Sequence, residues 1–432
     1  MNWKELYAQR KMSADEAISH IKSGDRVATP NGAGAPVYLY DTLVRHADEL
    51  EDVEITHMVP LAPAPYAQPG MEKHFRHNSI FAGPPTRDAI RDGRGDYTPC
   101  FFYKIPELFD TTMPLDVAII HVSRPDRHGY CSLGVSVDYS KHAAETAKLV
   151  IAQVNQYMPR TLGDCFVHVS DIDCIVEHDE PILELPRPKI TDAEKKIGEN
   201  CAELIRDGDT LQLGIGAIPD AVLLFMKDKK DLGIHTEMFS DGVVELVEAG
   251  VINNSRKTLH RGQSVATFLM GTRRLYDYVD DNPAVGMYPV TYVNDPAVIG
   301  RNDNLVSINS CVQVDFLGQV VSECVGPTQI SGVGGQVDFI RGAAISRGGR
   351  SIIAMTSTAG HGKISKIVPF IDRWAAVTTA RNEVQYVVTE YGIAELRGHT
   401  MRDRARSLIR IAHPDFRDAL AEEFEKRFRA KF

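Results

Sequence analysis

The chain lacks any apolar run long enough to cross a membrane. Its longest purely apolar stretches are short pieces such as Ala221–Met226, far below the ~20 residues a spanning helix needs. It lacks a CxxC pair: seven cysteines, an odd number, are scattered at 100, 131, 165, 174, 201, 311 and 324. That excludes a disulfide framework and a zinc knuckle. A GxSxG elbow is missing, which argues against an α/β-hydrolase. Neither HExxH nor any paired Cys/His spacing points to a metal, and the 15 histidines are dispersed. Cationic excess is also missing. Lys and Arg number 48 against 58 Asp and Glu, a net charge of −10, so no nucleic-acid or membrane partner is expected. The first residues, MNWKELYAQRKMSADE, are charged throughout and have no stretch like a signal peptide. The expectation is a reduced, cytoplasmic protein.

What is present is an ordinary globular balance, 43% hydrophobic and 25% charged over 432 residues, a length that predicts two or three domains. An internal echo organises it. Ser13-Ala-Asp-Glu16 reads as a capping box, with a helix to Gly24, then Asp25, a strand Arg26–Thr29, and Asn31-Gly-Ala-Gly-Ala-Pro36 opening a helix. Thr191-Asp-Ala-Glu194 repeats the pattern: a helix to Arg206, Gly208-Asp209, a strand Thr210–Leu213, and Gly214-Ile-Gly-Ala-Ile-Pro219 opening a helix. From the glycine of Gly-Asp to the proline is 12 residues in one copy and 11 in the other.

Continuous β-branched runs at Leu115–Val122, Lys148–Val154, Ile352–Met355 and Val384–Thr389 suit buried parallel strands. Arg402–Ile411 and Phe416–Phe428 read as covering helices. The fold class is α/β: two similar open α/β domains with mainly parallel sheets. The three prolines of Glu180–Lys189 place the boundary, giving domains 1–186 and 187–432.

Several segments carry chemistry. In the loop Gly214–Pro219 glycines let a backbone approach a ligand, and the helix start offers free N–H groups to an oxyanion. A dinucleotide fingerprint is its rival, with Pro219 in place of the third glycine and Glu237 as the acidic residue; a ligand-free turn is the third reading. Glu237 precedes Ser240-Asp241, which can cap a helix striped by Val243, Val244, Leu246 and Val247. It would project from the carboxyl end of a parallel strand, where open α/β sheets place ligands, or serve only as a capping or solvated residue. Ser331-Gly-Val-Gly-Gly335 enters a helix and makes a second backbone cradle or a strained turn. Two cradles and one carboxylate suit acyl chemistry. Gly360-His-Gly-Lys363-Ile fails as a P-loop, since Ser357 and Ile364 replace its glycine and hydroxyl. Lys363 is then either a phosphate contact or a solvated lysine. Cys131 reads as a buried cysteine rather than a thiolate paired with His128.

Together these segments resemble the acetyl-CoA hydrolase/transferase family, over essentially the whole chain. The carriers are residues 125–139 (PDRHGYCSLGVSVDY), 154–164 (VNQYMPRTLGD), 214–222 (GIGAIPDAV), 235–242 (HTEMFSDG), 331–339 (SGVGGQVDF), 360–369 (GHGKISKIVP) and 389–398 (TEYGIAELRG), in the family's order. The resemblance implies two similar α/β domains with the site between them. It makes Glu237 the nucleophile, Gly335 an oxyanion donor, and the backbone near Gly214, Ile215 and Gly216 the facing donor. Asn294 would orient the glutamate, and Gly334, beside Gly335 in the glycine turn, would with Lys363 and Glu390 contact coenzyme A. Ala217 departs from the family's GIGGIP-like loop and bears on the oxyanion geometry if that residue needs positive φ.

The implied activity is coenzyme A transfer between acetyl-CoA and a short-chain acid, 4-hydroxybutyrate or butyrate, with ping-pong kinetics. Coenzyme A is then a substrate, no cofactor is permanently bound, no metal is needed, and the assembly is a homodimer or homotetramer. A hydrolase on the same fold and a dinucleotide-binding oxidoreductase are the alternatives.

Overall fold

The computed structural model describes residues 2–432. The chain forms two compact units. The first comprises Met1–Pro186, Met238–Asp241 and Val265–Val293; the second comprises Arg187–Glu237, Gly242–Ser264 and Asn294–Phe432.

In the first unit seven strands form one sheet, in the order Gly95–Tyr97, Phe75–Ser79, Val53–His57, Arg26–Ala28, Val117–Val122, Leu149–Val154, Cys174–Glu177. Every neighbouring pair is parallel. A parallel sheet covered on both faces selects unbroken apolar strands, and all six residues of Val117–Val122 are buried. From Arg26–Ala28 the chain adds strands outward on one side and then returns to the other. The order therefore reverses beside this first strand.

The second unit repeats the plan with six strands: Gly233–Ile234, Thr210–Leu213, Leu305–Ser310, Arg350–Ala354, Tyr386–Thr389, Gly392–Glu395. The last is paired antiparallel through a tight hairpin and the others are parallel. The first strand again lies inside the sheet, next to the reversal. The helices Met401–Arg410 and Pro414–Phe428 cover this unit, burying Leu408, Ile409 and Phe424 against Ile353, Val387 and Ala394. Each such side chain contributes about 1.5–3 kcal/mol of burial.

The echo is present in detail. Ser13 and Glu16 cap the first helix (Ser13 N–H to Glu16 Oε2, 2.8 Å; Glu16 N–H to Ser13 Oγ, 3.2 Å). Thr191 N–H donates to Glu194 Oε2 at 2.7 Å in the second copy. Gly24 and Gly208 take left-handed φ of +82° and +80°, which glycine adopts without a Cβ penalty. One difference is local. The first-copy helix ends at Ile18 instead of continuing to Gly24. Ser19 Oγ bonds back to the Glu16 carbonyl at 2.7 Å, and the backbone tightens to i−3 bonds at His20 and Ile21. A serine competing for backbone acceptors favours such an ending. Among the described residues no helix is long and apolar enough to cross a membrane.

Candidate active site

The site in the second unit begins at the carboxyl end of the strand Thr210–Leu213. His235 N–H donates to the Leu211 carbonyl at 3.1 Å. Thr236 Oγ1 donates to the Leu213 carbonyl (3.1 Å) and accepts from Leu213 N–H (3.4 Å). His235 and Thr236 are buried, so the chain leaving Gly233–Ile234 is fastened alongside its neighbour and delivers Glu237, half-buried, at the sheet end.

Asn294 meets it there from fully buried surroundings. Its Nδ2 donates to Glu237 Oε2 at 2.8 Å, while its Oδ1 has no hydrogen-bond partner among the described residues. The amide is committed to the carboxylate. Gly335 closes the third side as N-cap of the helix Gln336–Ile345, with φ −94° and ψ 4°. A Cβ built on it would overlap both the Glu237 carboxylate and the Asn294 amide. The residue is glycine because the carboxylate occupies the space of a side chain. Gly334 before it has φ +51°, which turns the chain into the helix. The first N–H groups of a helix have no partner within it, so this turn presents donors beside Glu237, the requirement for holding an oxyanion.

The second cradle follows the adjacent strand. Gly216 has φ +118° and ψ −178° and caps the helix Ala217–Leu224, a backbone shape nearly confined to glycine. No atom lies within 4 Å of a Cβ built on Gly216, and Ile215 is 45% exposed. Gly214 is similarly open. Ala217 is the first helical residue and lies outside the positive-φ residues. The left-handed turn falls on Gly216, so alanine at 217 does not disturb it.

Glu237, Asn294, Gly334 and Gly335 are therefore assembled at one point. Lys363 and Glu390 have a different setting. Lys363 is exposed at the tip of a hairpin, between the paired segments Thr358–Ala359 and Ile364–Ser365. Glu390 accepts from the N–H (2.8 Å) and Oγ (2.7 Å) of buried Ser357, holding the base of that hairpin. Lys366 stands near Glu390, and burial pushes its ammonium below the ordinary lysine range.

Sequence reading missed the polar floor beneath the glycine loop. Gln212 Oε1 accepts from Ser307 Oγ (2.8 Å) and Asn309 Nδ2 (3.1 Å). Its signal was visible: polar residues interrupting the apolar strands TLQL and LVSINS. Cys131 is fully buried, and burial aided by the charge of Asp126 pushes its thiol up to about 12, which leaves it protonated at neutral pH. Among the described residues no group of three or more His, Cys, Asp or Glu is placed to hold a metal.

Two parallel-sheet units and a glutamate seated between an amide and a glycine turn define a class that the comparisons make explicit. The acetyl-CoA hydrolase/transferase N-terminal domain matches residues 1–185 and the C-terminal domain matches residues 271–424. The chain belongs to the acetyl-CoA hydrolase/transferase family and is a CoA-transferase.

Among its relatives, it is 62% identical over 429 residues to the 4-hydroxybutyrate coenzyme A transferase of Clostridium kluyveri, covering 99% of this chain and 100% of that one. It is 39% identical to the butyryl-CoA:acetate CoA-transferase of Anaerostipes caccae, covering 99% and 98%. The crystal structure of 4-hydroxybutyrate CoA-transferase from Porphyromonas gingivalis superposes with a TM-score of 0.87 at 47% identity, covering 99% and 100%. RipA from Yersinia pestis superposes with a TM-score of 0.94 at 39% identity over the same shares.

Proposed function

We propose that this enzyme transfers coenzyme A between acetyl-CoA and 4-hydroxybutyrate, with Glu237 as the covalent carrier. The observation that carries the reading is the Glu237 carboxylate, bonded to Asn294 and pressed against the Gly335 turn. The 62% identity to a 4-hydroxybutyrate coenzyme A transferase supports the choice of acid.

A carboxylate is a weak nucleophile and must be positioned. Held by Asn294, Glu237 attacks the thioester carbonyl of acetyl-CoA. The C–S bond breaks, coenzyme A leaves as thiolate, and an acetyl–glutamyl anhydride remains. The thiolate then attacks the glutamyl carbonyl, releasing acetate and leaving a glutamyl–CoA thioester. The carboxylate of 4-hydroxybutyrate attacks that thioester, giving a second anhydride and thiolate. Attack of the thiolate on the hydroxybutyryl carbonyl releases 4-hydroxybutyryl-CoA and restores Glu237. One thioester replaces another of similar energy, so the cycle draws on no phosphoanhydride.

The N–H of Gly335 and the backbone at Ile215 and Gly216 supply oxyanion donors, each worth about 3–4 kcal/mol. Gly216 and Gly334 give those turns their shape, and Gly214 leads into the first of them. Lys363 and Glu390 flank the coenzyme A side, and the coenzyme enters as substrate.

The test is incubation with acetyl-CoA, borohydride reduction and peptide mapping. A glutamyl–CoA thioester is reduced to an alcohol, so the peptide holding Glu237 should lose one oxygen and gain two hydrogens. Unchanged mass while acetyl-CoA still turns over would overturn the carrier role. Release of free coenzyme A without an acceptor acid would assign hydrolysis instead. Thermal protection by NAD(H) but not by acetyl-CoA would return the glycine loop to the dinucleotide reading.

A further inference from the structure

The segment between residues 369 and 379 presents aromatic rings to solvent on a backbone that is firmly tied down. The chain has two tryptophans, Trp3 and Trp374. Trp374 is 73% exposed and Phe370 60%. Trp374 also has φ +71°, a left-handed shape that a bulky residue rarely takes and that persists only where its surroundings impose it.

Those surroundings are visible. Asp372 N–H donates to Gln313 Oε1 at 3.0 Å, and Gln313 Nε2 donates to Asp372 Oδ2 at 2.7 Å. Ala376 N–H donates to Cys324 Sγ at 3.1 Å. The N–H groups of Thr378 and Thr379 both reach the Val320 carbonyl, at 2.9 and 3.1 Å. The indole is held out, pinned on both sides, rather than left on a loose loop.

Cations accompany the rings. The Arg373 guanidinium stands 5.0 Å from the Trp374 ring centre and Arg427 stands 4.2 Å from that of Phe370. Among the described residues no carboxylate or carbonyl takes a hydrogen bond from Arg373. The segment is also joined to the catalytic turn, because Gln336 Nε2, in the residue after Gly335, donates to Thr379 Oγ1 at 3.0 Å.

We infer that Trp374 is the stacking platform for the purine of coenzyme A, with Arg373 as a ligand for a phosphate of its nucleotide end. This inference rests on the CoA-transferase reading above. An exposed indole offers a flat π face that a purine covers, and a guanidinium with unused donors matches phosphate oxygens as a fork. The pinned backbone keeps the ring in place before the ligand arrives, which lowers the ordering needed on binding.

The experiment uses the full chain. In a Trp3→Phe variant Trp374 is the one remaining indole, and its emission is followed while adenosine 3′,5′-bisphosphate is added. That probe has the nucleotide end without thiol or acyl group. Saturable quenching is expected. In parallel, Trp374→Ala should raise KM for acetyl-CoA about tenfold more than KM for acetyl-pantetheine, which lacks the nucleotide; tenfold corresponds to about 1.4 kcal/mol.

Equal effects on the two thioesters, together with no quenching, would overturn the inference. A change of sedimentation coefficient in Trp374→Ala, with both thioesters affected alike, would instead assign the ring to a contact between copies of this chain. An enzyme that turns over neither thioester yet still shows quenching would fault the transferase reading and leave the nucleotide site standing.

Discussion

At the scale of single residues, the site depends on an absent side chain. Gly335 has ordinary φ, so alanine there is not strained by its backbone, yet its Cβ meets Glu237 and Asn294. Gly335→Ala is therefore expected to lower kcat by on the order of 10²–10³-fold while shifting the melting temperature by only a few degrees, measured by steady-state rates and thermal unfolding of the same sample. Asn294→Asp replaces a donor by a second carboxylate against Glu237. Like charges this close raise a carboxyl pKa, so the acid limb of the kcat/KM profile should move to higher pH, whereas Asn294→Ala should only lower the rate. Glu237 was legible from its place after a strand and before a capping Ser-Asp. Its bond to Asn294, 57 positions along the chain, was not, because no local pattern records a contact between a strand end and a distant residue lying between two short helices. Trp374 was equally hidden, since Arg-Trp carries none of the glycine or asparagine signal that marks a left-handed turn.

At the scale of elements, the two glycine loops divide their work between neighbouring residues. Gly216 has the disallowed φ and Ala217 the helix start. Gly216→Ala should therefore cost about 1–3 kcal/mol of strain and most of the activity, read from denaturant midpoints and initial rates. Ala217→Gly should change rates less than about threefold and cost at most ~1 kcal/mol of helix stability. The repeated helix–Gly–Asp–strand–glycine loop was legible because capping boxes, left-handed glycines and β-branched runs are all local devices. Long strands such as Val117–Val122 lie within two residues of their sequence reading. The strand before Glu237 was legible, although only Gly233–Ile234 of it pairs, but the two-residue strand Met238–Phe239 was not. Two residues have no periodicity, and pairing with Phe268–Leu269 alone makes them a strand.

At the scale of the whole molecule, buried histidines set an acid limit. Burial pushes His77 and His121 down to about 4 and His57 well below its ordinary range. Their depressed folded pKa means that the unfolded chain binds more protons below about pH 6.5, so stability falls as pH drops from there toward 4. At pH 5 His77 and His121 should each have removed about 2 kcal/mol relative to pH 7. Urea midpoints at the two pH values would show it, and His121→Gln should recover its share. The order of synthesis has its own limit, which follows from how the chain returns to its first unit. The amides of Val137 and Asp138 bond to the Thr267 carbonyl (3.1 and 3.2 Å), and Met287 N–H bonds to the Leu162 carbonyl (2.7 Å). A ribosome that has just released residue 186 has therefore made all seven strands of the first sheet but not the returning segments Met238–Asp241 and Val265–Val293, so these hydrogen-bonding groups are still wet. Until residue 293 emerges the nascent unit lacks those segments, and a gene cut at residue 186 would deliver the same unfinished unit as its end product.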